Sequence, residues 1–184
     1  MPEREVHSIE IAGVQRDLPK FEIKPGVRIA ILNILGDTEL VQASAAALAT
    51  KLSPHTPEQL VTAEAKSIPL VYALSVVMSL PFVVLRKSYK PYMGEALSSE
   101  TLSITTGAEQ TLYLDEKDRQ AVNGSRIALV DDVISTGSTL QGMRMIMNKA
   151  GATVVAEAAI LTEGDRAKWT NVIALGHLPV WVDE

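Results

Sequence analysis

Apolar and polar positions switch between two periods along this chain, and the switches mark its elements. Val6-His7-Ser8-Ile9-Glu10-Ile11 and Val14-Gln15-Arg16-Asp17-Leu18 alternate in part around Ala12-Gly13, which predicts a β-hairpin. Residues 19–26 read as a loop carrying Phe21, and residues 27–32 as a third strand. A helical spacing follows at Val41, Ala45, Leu48 and Leu52, with Asp37 as its N-cap and Ser53-Pro54-His55-Thr56-Pro57 as its end. Leu60-Val61-Thr62-Ala63 predicts a short buried strand, residues 69–79 a buried helix, and residues 81–85 a further strand.

Residues 91–112 are the least orderly. Residues 99–105 and 109–114 alternate enough to predict a hairpin that closes over a ligand. A short polar helix over 115–122 and an Asn123-Gly124 turn come next. Residues 126–130 lack alternation, which suits a strand buried on both faces of a parallel sheet. Leu140, Met143, Met145, Ile146, Met147 and Ala150 then follow a helical spacing that Gly151 closes. Residues 152–161 form another aliphatic strand, ended by Glu163-Gly164-Asp165, and a tail carries Trp169, Leu178, Val180 and Trp181. Strands interleaved with helices predict an α/β fold with a twisted parallel sheet flanked by helices, and an N-terminal subdomain over its carboxyl edge.

Composition narrows the class. At 184 residues one domain is expected, with no internal repeat. Apolar residues make up 47% but aromatics only 4%, so the core is aliphatic. A formal charge of −5 argues against general nucleic-acid binding, which needs a basic face. The absence of cysteine excludes disulfides and thiolate catalysis and is compatible with a reducing cytosol. Met1-Pro2-Glu3-Arg4-Glu5 is too charged for a signal peptide. Residues 68–85 carry no charge, but Pro81 breaks the stretch, so no membrane span is expected. His7, His55 and His177 belong to no metal-spaced set.

The chemistry concentrates in residues 126–140. A strand runs into Asp131-Asp132, and Ser135-Thr136-Gly137-Ser138-Thr139 leads into the helix. Such a turn offers backbone N–H groups at a helix N-terminus, where the dipole favours an anion. Gly137 permits close backbone approach, and four hydroxyls add donors. The carboxylates accept hydrogen bonds, so they suit hydroxyl donors or a hard cation such as Mg²⁺. A ligand satisfying both halves carries a phosphate and, nearby, a vicinal diol, as ribose 5-phosphate does. A second strand-to-helix turn, Glu64-Ala65-Lys66-Ser67, repeats the logic, and Arg86, Lys87 and Lys90 place three cations at a strand's carboxyl end.

At these residues the chain resembles the type I phosphoribosyltransferases. The stretch Val130-Asp131-Asp132-Val133-Ile134-Ser135-Thr136-Gly137-Ser138-Thr139 is similar to that family's phosphoribosyl pyrophosphate (PRPP) signature, and the resemblance extends over about residues 60–161. Adenine and xanthine enzymes are the most similar branch. The resemblance implies a hood and first helix over 1–55, a PRPP-binding core over 56–165 and a C-terminal tail over 166–184. It implies that Asp131, Asp132, Val133, Ile134, Ser135, Thr136, Gly137, Ser138 and Thr139 hold the ribose and 5-phosphate, with the two aspartates as catalytic residues that meet Mg²⁺ through PRPP. Ala65, Lys66, Arg86, Lys87 and Lys90 would bind pyrophosphate, with a non-proline cis peptide between Ala65 and Lys66. Two departures stand out. Ser67 replaces the usual glycine, and Thr105 stands where adenine enzymes have a loop glutamate.

The implied activity is transfer of 5-phosphoribosyl from PRPP to a purine, adenine favoured, by a cytoplasmic homodimer in purine salvage. Phe21 or residues 33–37 would meet the base, or Phe21 is simply a core or surface aromatic. Trp169 is expected to pack rather than stack on the base. Two alternatives stay open: xanthine or guanine as the base, and a non-catalytic PRPP sensor.

Overall fold

The computed structural model describes residues 5–102 and 109–183. Two main sheets divide most of the strands, and a separate two-stranded hairpin holds the rest. The larger is built from β4 (Gln59–Ala63), β5 (Phe82–Leu85), β8 (Arg126–Ile134), β9 (Thr153–Glu163) and β10 (Ile173–Leu178). Their order is β10-β9-β8-β4-β5, and every neighbouring pair is parallel.

The alternation hidden inside these apolar runs is what makes a two-faced core. Leu60 of β4 and Ala128 and Val130 of β8 face one layer, formed by α1 (Thr38–Leu52) and α2 (Ile68–Met78). Val61 and Ala63, with Ile127 and Leu129, face the other, against α4 (Ser138–Lys149). All five β4 residues are buried, as expected for a strand covered on both faces. On the α4 side lie α3 (Glu116–Val122) and a hairpin of β6 (Leu97–Leu102) and β7 (Glu109–Leu114). The β6 bounds begin two residues before the predicted strand, and its predicted end, with Thr105, lies outside the described residues.

Pro69 sits in the first turn of α2, where a missing N–H costs nothing. Ser79, in the left-handed region at φ 54°, ends the helix by donating to Ser75 and Val76 carbonyls. Among the described residues no helix is long and apolar enough to cross a membrane.

The smaller sheet is the hood, in the antiparallel order β1-β2-β3-β11. It consists of β1 (Val6–Ile11), β2 (Val14–Lys24), β3 (Val27–Ala30) and β11 (Trp181–Val182). The expected loop over 19–26 is mostly strand: β2 runs through Pro19, and Phe21 pairs with Ile29. The proline fits because it stands where the β2–β3 ladder ends, its carbonyl accepting from Ile31 N–H at 3.0 Å. The tail also departs from expectation, giving one strand to each sheet. Asp37 caps α1, its Oδ1 accepting from Leu40 N–H at 3.1 Å, and Arg16 of β2 grips the same carboxylate at 2.7 and 2.8 Å.

Candidate functional site

The acidic pair lies inside β8, which continues to Ile134 rather than ending at Val130. Beyond it, Gly137 adopts φ +81° as the N-cap of α4. A cavity of about 120 Å³ is bounded by Asp131 and residues 133–140. The first turn of α4 contributes N–H groups that have no intrahelical partner. Side chains organise the loop from within. Thr136 Oγ1 and Ser138 Oγ are 3.1 Å apart, and Ser135 Oγ donates to Glu163 Oε1 at 2.5 Å.

Glu163 and Trp169 hold this loop from outside, and neither belongs to the predicted site. Glu163 is buried at the end of β9, and its carbonyl accepts from Trp169 Nε1–H at 3.0 Å. The indole lies against Gly137 so closely that a Cβ there would come within 2.7 Å of Trp169 Cη2. The expected packing role for Trp169 is thus met against Gly137 of the loop before α4. No local sequence signal announces this, because the two residues meet only through the fold.

The second strand-to-helix turn, 64–67, stands beside the first because β4 neighbours β8. Its cis peptide joins Glu64 to Ala65, one bond earlier than expected between Ala65 and Lys66. Lys66 Nζ lies 3.0 Å from Asp132 Oδ2, an ion pair rather than an aligned hydrogen bond, and donates to Leu32 O at 3.0 Å. Ser67 Oγ donates to Asp131 Oδ1 at 2.7 Å, with Asp132 Oδ1 at 3.1 Å, and accepts from Asp132 N–H at 3.0 Å. Burial, and then the neighbouring Asp132 charge, push Asp131 up to about 7.

The cations beyond β5 are placed unequally. Arg86 donates through Nε to Glu64 and through Nη1 to Tyr92 Oη at 3.3 Å. Glu64 also accepts from Lys87 N–H at 2.7 Å. This carboxylate orients the Arg86 head, which it also partly neutralises. The Lys87 and Lys90 side chains are exposed. The fold therefore brings Ala65, Lys66, Arg86 and the acidic pair to one edge of the parallel sheet, the carboxyl edge where such sheets bind ligands.

A second concavity opens between the hood and the ends of β9 and β10. It measures about 650 Å³ and is bounded by His7, Gly164, Asp165, Arg166, His177, Pro179 and Val180. His177 Nδ1 is 2.9 Å from Thr162 Oγ1, and burial lowers its pKa, so the ring stays neutral at neutral pH. The Ser135–Glu163 hydrogen bond ties the 135–139 loop to the end of β9, next to Gly164 of this groove. Phe21 is about one-third exposed on the hood, and it does not bound this groove.

Among the described residues no group of three or more His, Cys, Asp or Glu side chains is placed to cage a metal. Two adjacent carboxylates fit Mg²⁺ only as it usually binds, shared with substrate phosphates and waters.

Comparison with known proteins converges on one family. Residues 33–173 match the family described as "Phosphoribosyl transferase domain". A hypoxanthine/guanine phosphoribosyltransferase of Methanocella paludicola is 33% identical over 65% of this chain and 58% of its own length. A xanthine phosphoribosyltransferase of Chloroflexus aurantiacus is 35% identical over 71% of this chain and 61% of its own. The purine biosynthesis transcriptional repressor PurR of Bacillus subtilis is 27% identical over 78% of this chain and 49% of its own. The chain thus spans between about half and three-fifths of these relatives. Among solved structures, an adenine phosphoribosyltransferase from Thermoanaerobacter pseudethanolicus superposes with a TM-score of 0.67 at 21% identity, covering 94% of this chain and 95% of that one.

Proposed function

Because the chain belongs to the phosphoribosyl transferase domain family, we propose that it transfers 5-phosphoribosyl from PRPP to a purine base and releases pyrophosphate. The observation that carries this reading is the pairing of an anion-sized cavity at the α4 N-terminus with the Asp131-Asp132 pair beside it. Residues 135–139 hold the 5-phosphate. Asp131 and Asp132 accept hydrogen bonds from the ribose hydroxyls. The 64–67 turn with Arg86, Lys87 and Lys90 takes the pyrophosphate, and Mg²⁺ carried on PRPP supplies further charge neutralisation there. Anchoring both ends orients C1, so that a purine nitrogen forms the C1–N bond as the C1–O bond to pyrophosphate breaks. The nitrogen's proton needs an acceptor. Asp132, of the carboxylate pair beside the ribose, is the residue we assign to take it.

The groove between the hood and β9–β10 is the place for the base. The relatives above 30% identity are named for xanthine and for hypoxanthine/guanine, whereas the likeness to adenine enzymes is one of fold. This supports 6-oxopurines over adenine as the better substrates. Homodimer formation and a cytosolic setting complete the reading, on family resemblance.

The test is incubation with PRPP, Mg²⁺ and each of adenine, hypoxanthine, guanine and xanthine, with pyrophosphate release measured. Turnover with one or more bases is expected. Tight PRPP binding without turnover on any base would replace this reading by the sensor reading, which the match to PurR favours.

A further inference from the structure

We propose that Ser67 is a positioning residue for the ribose-binding carboxylates, a hydroxyl that fixes Asp131 and Asp132 relative to the 64–67 turn so that one ligand spans both. The inference rests on the function proposed above. The backbone shows why such a residue is needed. The ladder between β4 and β8 runs through Gln59↔Ile127, Leu60↔Ala128 and Val61↔Leu129, and no pair lies beyond. From there two hydroxyls continue the connection. Thr62 Oγ1 donates to Val130 O at 2.7 Å, and Ser67 Oγ reaches Asp131 and Asp132. Beyond the last ladder pair Ser67 ties the 64–67 turn to the acidic pair.

That hydroxyl both donates and accepts within the site. One proton goes to Asp131 Oδ1 and one lone pair takes the Asp132 N–H. Ser67 is 2% exposed, so neither contact is shared with solvent. A glycine, the residue the family resemblance leads one to expect, has no atom to place there. Without the hydroxyl, Asp132 N–H loses one of its two acceptors, the other being Asp131 Oδ1 at 2.9 Å. Among the described residues the side-chain tie that then remains between the turn and the acidic pair is Lys66 to Asp132, through a half-exposed ammonium. Ligand that touches the acidic pair must then order those carboxylates itself and so binds less tightly. Ligand that touches the turn alone does not notice.

The test compares wild type with Ser67→Ala, Ser67→Gly and Ser67→Thr by calorimetric titration with PRPP, ribose 5-phosphate and pyrophosphate, each with Mg²⁺. Loss of the two Ser67 hydrogen bonds, with Asp132 N–H keeping its second acceptor, predicts that Ser67→Ala and Ser67→Gly weaken PRPP and ribose 5-phosphate by about five- to tenfold. Pyrophosphate binding is expected to stay at the wild-type value, and the KM for PRPP to rise while the KM for the base holds. Ser67→Thr keeps the hydroxyl and is expected to restore binding. Melting curves of all variants confirm folding. Wild-type affinity for ribose 5-phosphate in both Ser67→Ala and Ser67→Gly would overturn the inference alone, as would parallel loss of pyrophosphate and ribose 5-phosphate binding. Failure of the wild-type protein to bind PRPP or ribose 5-phosphate would overturn the function reading and this inference with it.

Discussion

Two strand-to-helix turns stand side by side at the carboxyl edge of the sheet, and they are built on opposite plans. The turn after β8 closes around a cavity of about 120 Å³, with a left-handed glycine at the helix start and hydroxyls along its length. The turn after β4 spends its side chains on the protein. Glu64 grips Arg86, Lys66 pairs with Asp132, and Ser67 bridges both aspartates. The first is a cradle shaped by its backbone, the second a strap shaped by its side chains. A cradle should fail when its backbone changes, and a strap should fail by degrees as its ties are cut.

The largest effect is expected at the cradle. Gly137→Ala would force a left-handed conformation on alanine and drive its Cβ to 2.7 Å from the Trp169 ring. A non-glycine residue in that region costs about 1–3 kcal/mol before any clash. Denaturant unfolding should show at least that loss, and titration should show PRPP binding abolished. Wild-type PRPP affinity in this variant would contradict the assignment of a backbone cradle.

Next comes the acidic pair that both turns share. Asp131 is raised to about 7 in the folded protein against about 3.9 in an unfolded chain. Between those values the folded state holds a proton that the unfolded state releases. Stability from this group is therefore fully present below about pH 4 and lost as pH rises through about 7. Asp131→Asn keeps an oxygen acceptor for Ser67 and removes the titration. Compared with wild type it should gain on the order of 3 kcal/mol between pH 4.5 and pH 8, while losing ribose 5-phosphate binding. Parallel stability curves for the two proteins would show that Asp131 titrates normally.

Cutting a strap tie should matter less. Glu64→Gln keeps the shape of the Arg86 contact but removes its charge, and charge-assisted bonds contribute about 1.5–3 kcal/mol when sheltered. Arg86 is about one-third exposed, so the lower end applies. Pyrophosphate affinity is expected to change several-fold, with ribose 5-phosphate binding intact. An equal effect on both ligands would mean that the straps are not separable.

The smallest effect is expected at Glu163→Gln. The amide still accepts from Ser135, so the loop should keep its shape and 5-phosphate affinity should rise slightly as a buried negative charge disappears. A large drop in ribose 5-phosphate affinity would show that the charge itself is required.

The contrast also explains what was legible in the sequence. The cradle is local: strand, acidic pair, hydroxyls, glycine and helix are contiguous from Arg126 to Leu140, so one stretch announces it. The strap's side-chain partners are distant. Lys66 finds Leu32 O and Asp132, and Ser67 finds residues 64 and 65 positions away, and no spacing rule reaches that far. The same divide runs through the fold. The aliphatic runs of β4, β5, β8 and β9 signal buried strands by themselves. β2 is obscured by Pro19, whose place at the end of a ladder is a tertiary fact. β11 is two residues long and exists because β3 offers it an edge. The described residues leave Thr105 outside the comparison.

Arg28 on β3 holds Glu5 at 2.9 Å and Asp183 at 2.7 Å. The first and last described residues are thus fastened to one guanidinium, and the hood is a seam where the chain meets itself. From Glu5 to Asp183 the described chain thus runs a nearly closed course. A short linker joining its ends, with a new opening at the solvent-facing Asn123-Gly124 turn, should leave both sheets and every ligand contact proposed here in place.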